Sequence, residues 1–213
     1  KYTPTDEQKE IVGKIQNGTG EIILVNSVAG SGKSSTARLT VNTIRPKKCL
    51  YTAFNKAIVE EGKDLFPDYV ECRTLHSLAL SYVRPKLGIE PFTYLCIKEK
   101  LTYPAKNKVI KAMDEFYRSD STDLDEFLKS ILDDPTLRNI VDKYVTLMFD
   151  DKIPVTFNYL LKHMHLLLHE EQIDPKYDMI ILDEIQDSTG VALEIFKLLK
   201  APHKMGLGDP AQS

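Results

Sequence analysis

Two short stretches carry the residue types from which phosphate chemistry is built. The first is Ala29-Gly30-Ser31-Gly32-Lys33-Ser34-Ser35, which directly follows the apolar run Ile22-Ile23-Leu24-Val25. An apolar strand, a glycine-rich turn and a helix start in that order form a cradle for nucleotide phosphates. Glycine permits backbone turns closed to other residues. The turned amides and the helix N-terminus then converge on negative charge. Lys33 is placed to reach the β- and γ-phosphates of ATP, and Ser34 to offer its hydroxyl to Mg²⁺. The bland alternative is a strand-turn-helix with a chance Gly-Ser-Gly.

The second stretch is Asp183-Glu184, at the end of the apolar run Met179-Ile180-Ile181-Leu182. Open parallel sheets bind ligands at the carboxyl ends of their strands. Asp183 is expected to hold Mg²⁺, directly or through a water, and Glu184 to orient and deprotonate an attacking water. Taken alone, the pair serves equally well as a cap for the segment that follows. Gln212, beyond the last expected strand Met205-Gly206-Leu207-Gly208, is placed to sense the γ-phosphate or bound water.

These stretches need a framework. Thr5 with Gln8 three residues on is a capping box that opens an amphipathic helix through Ile11, Val12 and Ile15. In that reading Gln8 is a plain cap partner. Asn17-Gly18-Thr19-Gly20 turns the chain into the first strand. A helix from Lys33 to about Asn42, a strand Cys49–Ala53, a helix from Asn55 to Gly62, a short strand at Val70-Glu71-Cys72 and a helix capped by Thr74 follow in turn. Alternating strands and helices predict an α/β fold with a parallel sheet covered on both faces. From Pro85 the rhythm changes. Residues 86–172 read as a mostly helical insertion, with helices at 106–118, 123–132, 137–149 and 157–170, some separated by Asp134-Pro135 and Ile153-Pro154. Its acidic residues read as solvated faces and helix starts. His165 and His169, four apart, share a helix face, but no third metal ligand is evident. The α/β alternation returns over 173–213, with a helix at 191–200.

Composition sets bounds on this. The chain has 213 residues, 42% hydrophobic and 28% charged, as in a globular protein. Its formal charge is −3, distributed as +3 over residues 1–85 and −6 over 86–213, so any nucleic-acid surface has to be local. Three cysteines without paired spacing (Cys49, Cys72, Cys96) point to a reducing, cytoplasmic or nuclear, compartment. No apolar run reaches the roughly 18–20 residues needed to span a bilayer, so no membrane partner is expected.

Taken as a set, these stretches resemble a known family. The phosphate loop, Asp183-Glu184-Ile185-Gln186-Asp187-Ser188 and Gly208-Asp209-Pro210-Ala211-Gln212 look like the Walker A, Walker B and third motifs of superfamily 1 DNA helicases of the UvrD/Rep type. Thr5–Gln8 resembles that family's Q motif, Thr52-Ala53-Phe54-Asn55-Lys56-Ala57 its motif Ia, and Thr74-Leu75-His76-Ser77 its Thr-Phe-His-Ser element. Ala53-Phe54-Asn55-Lys56 and Tyr177-Asp178 make it similar to the F-box DNA helicases and their phage or bacterial relatives. There are departures: Ser27-Val28 replaces a small Ala-Gly pair, Leu75 replaces Phe, and the motif Ia aromatic lies one position late, at Phe54.

The resemblance implies a RecA-like P-loop NTPase domain split into residues 1–85 and 173–213, with residues 86–172 as a subdomain resembling 1B. It implies that Gln8 reads the adenine edge, and that Gln186, Asp209 and Gln212 couple the nucleotide's state to DNA. Phe54, Asn55, Lys56, Thr74 and His76 would face single-stranded DNA, where a ring stacks on bases and polar groups hold phosphate. It further implies a second RecA-like domain, in cis or in trans, that supplies arginines to the transferring phosphoryl group. Without it, ATP is expected to bind weakly and turn over slowly or not at all. The expected function is an ATP-dependent DNA helicase or translocase motor. The alternatives are a nucleotide-dependent DNA-binding or adaptor module without hydrolysis of its own, and the motor part of a helicase–nuclease.

Overall fold

A computed structural model describes residues 3–26, 32–83 and 97–209. The chain divides into two compact units. The first comprises Lys1–Leu78, Asp174–Ser188 and Phe196–Ser213; the second comprises Ala79–Ile173 with Thr189–Ile195.

The first unit is built on a five-stranded, wholly parallel sheet: β1 (Ile22–Asn26), β2 (Cys49–Ala53), β3 (Val70–Thr74), β4 (Met179–Leu182) and β5 (His203–Gly208), in the spatial order β1-β5-β4-β2-β3. β2 and β4 are buried along their whole length, which is why they read as unbroken apolar runs rather than alternating ones. Because all strands run the same way, Asn26, Ala53, Thr74, Leu182 and Gly208 end at one edge. The helices of this unit are α1 (Asp6–Gln16), α2 (Lys33–Ile44) and α3 (Lys56–Leu65), with the start of α4 (Leu75–Val83) and the end of α9 (Gly190–Leu198). One core joins Ile15 of α1, Ala37 and Val41 of α2 and Phe66 after α3 to Val25, Tyr51, Ile181, Met205 and Leu207 on one sheet face.

Among the helix boundaries that differ from the sequence-based expectation, two do so for an evident local reason. Gly62 was expected to end α3, but the helix runs through it to Leu65. A Cβ at Gly62 would lie 2.3 Å from Cε1 of Tyr51, so the glycine is there to admit a ring and not to stop a helix. Pro135, expected to lie between helices, instead opens α7 (Pro135–Phe149), with Asp134 as N-cap accepting the N–H groups of Thr136 and Leu137. Proline suits the first turn because its missing N–H has no partner there anyway.

The second unit holds α5 (Tyr103–Arg118), α6 (Leu124–Ile131), α7 and α8 (Phe157–His169). α5 packs against α6, α7 and α8. The core contains Val109, Met113, Tyr117, Tyr144, Met148 and Tyr159, with the Tyr117 and Tyr159 rings edge-to-face at 5.8 Å. Lys162 is fully buried within α8. Its ammonium donates to the carbonyls of Ser119 (2.8 Å) and Ser121 (2.6 Å) and lies 4.4 Å from the centre of the Phe116 ring, pinning the turn between α5 and α6. Burial pushes its pKa down to about 8.

One turn along, His165 is 1% exposed, and its Nδ1 has no hydrogen-bond partner among the described residues. Burial first, then the Lys162 and His169 charges, push its imidazole down to about 4, against a weaker upward pull from Glu194 and Asp120. The folded protein therefore binds fewer protons than the unfolded chain between the ordinary histidine value and pH 4. Stability from this group is full above that window and is lost as pH falls through it. From pH 7.5 to pH 5 the loss comes to about 2 kcal/mol. Replacing His165→Leu is expected to flatten that part of the acid dependence, as read by thermal unfolding at the two pH values.

Candidate functional site

The first helix after β1 begins at the expected lysine. Gly32 is the N-cap of α2 with φ +99°, in the left-handed region that glycine reaches without strain. Lys33 is the first helical residue and Ser34, exposed, the second. The hydroxyls of Ser35 and Thr36 each donate to the Gly32 carbonyl at 2.9 Å, which tightens the first turn. Ala29, Gly30 and Ser31, named above for the phosphate loop, and Gln212 lie outside the described residues.

Gln8 makes the capping box with Thr5, its Oε1 accepting the Thr5 N–H at 3.0 Å. It also does something a cap alone does not require. Its Nε2 donates to Thr36 Oγ1 at 3.1 Å, and a Cβ built at Gly32 would lie 3.4 Å from that nitrogen. The buried amide thus ties α1 to the first turn of α2.

At the neighbouring strand end, Asp183 follows β4, and its N–H donates to the Thr52 carbonyl at 2.9 Å. Its Oδ1 accepts the Glu184 N–H at 2.8 Å and its Oδ2 accepts the Tyr51 hydroxyl at 2.5 Å. Glu184 stands in the left-handed region (φ +48°), a conformation that costs a side-chain-bearing residue about 1–2 kcal/mol. A 3₁₀ turn, Ile185–Asp187, follows at once. With this backbone the Glu184 carboxylate comes within 3.7 Å of the Lys33 ammonium, both side chains being largely buried. Gln186 bridges two parts of this site. Its Nε2 donates to Glu184 Oε2, and its Oε1 accepts the N–H of Asp209, which is buried just past β5, at 3.1 Å.

The residues named for DNA stand at the ends of β2 and β3. The Phe54 ring packs edge-on to His76, centroids 5.0 Å apart. Asn55 caps α3 by accepting the Ala57 N–H at 2.8 Å, which uses its oxygen and leaves its amide hydrogens for other partners. Lys56 is exposed. Thr74 Oγ1 accepts the Ser77 N–H at 3.2 Å.

Comparison with known proteins gives a partial match. No family model matches the chain. It is similar to F-box DNA helicase 1 of Gallus gallus, 40% identical over 80 residues, which is 37% of this chain and 8% of that protein. It is also similar to F-box DNA helicase protein 1 of Schizosaccharomyces pombe, 47% identical over 76 residues, 35% of this chain and 8% of that protein. The match thus spans less than a tenth of the length of these relatives.

The residues around Asp183 suit a hard divalent cation. Asp183 and Ser34 supply oxygen donors of the kind Mg²⁺ takes. Each Asp183 oxygen accepts one hydrogen bond and keeps a second lone pair. Burial raises the Asp183 carboxyl above its usual range, and the Tyr51 hydroxyl, the Glu184 N–H and the Lys33 charge pull it down only in part. A carboxyl raised in the fold favours stability at low pH, and that advantage is lost as pH rises through its folded pKa. At neutral pH without divalent ions the Asp183 charge is therefore a burden. We expect Asp183→Asn to raise the melting temperature at pH 7.5 in EDTA. Differential scanning calorimetry in EDTA checks this, and the gap should close in acid.

Tyr51 and Thr36, both in contact with predicted site residues, carried no sequence signal. Tyr51 pairs with Ile181 in the β2–β4 register. Residues two apart on a strand share a face, so Tyr51 and Asp183 meet. Only knowledge of which strand neighbours which would have revealed it. Among the described residues, no group of three or more His, Cys, Asp or Glu side chains is arranged to hold a metal, and no helix is long and apolar enough to cross a membrane.

Proposed function

We propose that this chain is the N-terminal motor half of an ATP-dependent DNA helicase or translocase, with a RecA-like P-loop fold over residues 1–85 and 173–213 and a 1B-like helical insertion over 86–172. The observation that carries the reading is the 3.7 Å approach of Lys33 to Glu184. It joins the first residue of the helix after the glycine-rich turn to the acid after β4, two segments far apart in sequence. β5 lies between β1 and β4, so the ends of those two strands stand two strand spacings apart, about 10 Å. The names of the partial relatives agree with this reading.

In this reading the amides of the turn and Lys33 bind the ATP phosphates. Ser34 and Asp183 would hold Mg²⁺, which when bound would draw negative charge from the phosphates. Glu184 accepts the proton of the water that attacks the γ-phosphorus, giving ADP and phosphate. Gln186, linked to both Glu184 and the end of β5, carries the state of the site toward Asp209 and Gln212. Phe54, Asn55, Lys56, Thr74 and His76 contact single-stranded DNA, Phe54 by stacking on a base. A second RecA-like domain, in cis or in trans, completes the site with arginines.

The test is linkage. A fluorescent ATP analogue and a labelled oligothymidylate are titrated onto the protein separately and together. The reading expects both to bind, and each to change the other's affinity by the same factor, commonly about 5–150-fold. Nucleotide binding with no measurable affinity for single-stranded DNA at low salt would remove the helicase reading and leave a nucleotide-binding domain of other purpose.

A further inference from the structure

The Tyr51 side chain touches two things that the proposed mechanism uses separately. Its hydroxyl donates to Asp183 Oδ2 at 2.5 Å. Its ring lies against α3 where Gly62 leaves room: a Cβ there would sit 2.3 Å from Cε1 and 2.6 Å from Cδ1. Phe66, just past the end of α3, closes on the same ring with centroids 4.8 Å apart. The side chain is 2% exposed. α3 is the helix whose N-terminus carries Asn55 and Lys56. A buried tyrosine needs a partner for its hydroxyl, but an ordinary backbone carbonyl would serve. Here the partner is the acid of the nucleotide site.

We propose that Tyr51 is the positioning residue for Asp183, and that Gly62 seats its ring so that α3 sets where the Asp183 carboxylate points. The inference rests on the reading of Asp183 as the residue that holds Mg²⁺. Groups in the outer shell of a metal ligand fix its orientation, and their loss typically weakens metal binding by about 10–100-fold. The hydroxyl takes one lone pair of Oδ2 and leaves the carboxylate a single preferred plane. A shift of α3 would move the ring, and with it that plane. This gives the DNA-side helix a direct mechanical contact with the metal side of the nucleotide site, through one side chain.

The test reads Mg²⁺ and not turnover. Binding of a fluorescent ATP analogue is measured in EDTA and across a MgCl₂ titration, for wild type, Tyr51→Phe, Asp183→Ala and Gly62→Ala. Tyr51→Phe keeps the ring and its packing, so affinity in EDTA should stay within about twofold. The Mg²⁺ concentration giving half of the enhancement should rise about tenfold. Asp183→Ala should abolish the enhancement. Gly62→Ala must push the ring aside and should also raise the Mg²⁺ requirement, with no further rise in the Tyr51→Phe background, since both act through one hydroxyl.

If Asp183→Ala loses the Mg²⁺ enhancement but Tyr51→Phe titrates within twofold of wild type, the positioning role is wrong while the metal reading stands. If Asp183→Ala keeps the enhancement, the metal reading itself fails and the inference goes with it. If Gly62→Ala does not fold, the Tyr51→Phe titration still decides the positioning role.

Discussion

Replacing Lys33 by alanine should lower affinity for a fluorescent ATP analogue by at least about a hundredfold, with little change in the fold. Lys33 is the first residue of α2, where its own N–H and those after it point to any anion at the helix start. Its ammonium is largely buried, yet its nearest acid, Glu184, stands at 3.7 Å, outside hydrogen-bond reach. The cation is held near this site without being consumed by it. Truncating one partner of a desolvated charge contact costs about 2–5 kcal/mol in binding, and each 1.4 kcal/mol is tenfold. The effect on stability is set by a different contact. The Lys33–Glu184 approach lies beyond hydrogen-bond distance, and Glu184 keeps its hydrogen bond from Gln186 when Lys33 is gone. Isothermal titration calorimetry beside a thermal melt separates the two. An affinity loss below about threefold would mean that phosphates do not sit at the start of α2, and the nucleotide reading would fall with it.

Most elements were legible in the sequence because each carries its own local signal. β2 and β4 are apolar runs bounded by turns, and helix starts announce themselves through residues such as Thr5, Asn55 and Asp123, whose side chains accept backbone N–H groups, whereas the caps Thr102 and Asp134 start their helices earlier than periodicity alone suggests. What was hidden depends on which element lies beside which. Nothing in a linear chain says that β5 enters between β1 and β4, so the bridge from Glu184 through Gln186 to Asp209 could be guessed as coupling but not drawn. Tyr51 looked like one more β-forming residue until the register with Ile181 set it beside Asp183. Gly62 looked like a helix end for the same reason. Two lysines sit where their residue type alone does not point. Lys162 and Lys204 have the composition of surface residues, but both are buried, and Lys204 donates to the carbonyls of Lys197 (2.8 Å) and Phe196 (3.4 Å) at the end of α9. A cation there meets the negative end of the helix dipole, and only the tertiary structure brings it there.

Glu184→Gln should separate binding from chemistry more sharply than any other change at this site. The substitution preserves size and leaves an oxygen for Gln186 to donate to, so the 3₁₀ turn and the link to Asp209 keep their partners. It removes the carboxylate charge facing Lys33. Glu184 competes with phosphate for that ammonium, so nucleotide affinity should hold or tighten, by about threefold at most. Hydrolysis should respond differently. An amide cannot accept the proton of an attacking water, and loss of a positioned general base costs about 10²–10⁴ in rate. The left-handed backbone at Glu184 gives the prediction its structural footing, because a residue held at φ +48° is aimed by its neighbours and not by its own preference. Phosphate release is measured on the natural gene product with single-stranded DNA and saturating ATP, alongside equilibrium nucleotide binding. Turnover reduced at least a hundredfold with binding intact assigns the base. Turnover within tenfold of wild type would show that the Lys33–Glu184 pair is a structural clasp, and that the proton leaves by another route.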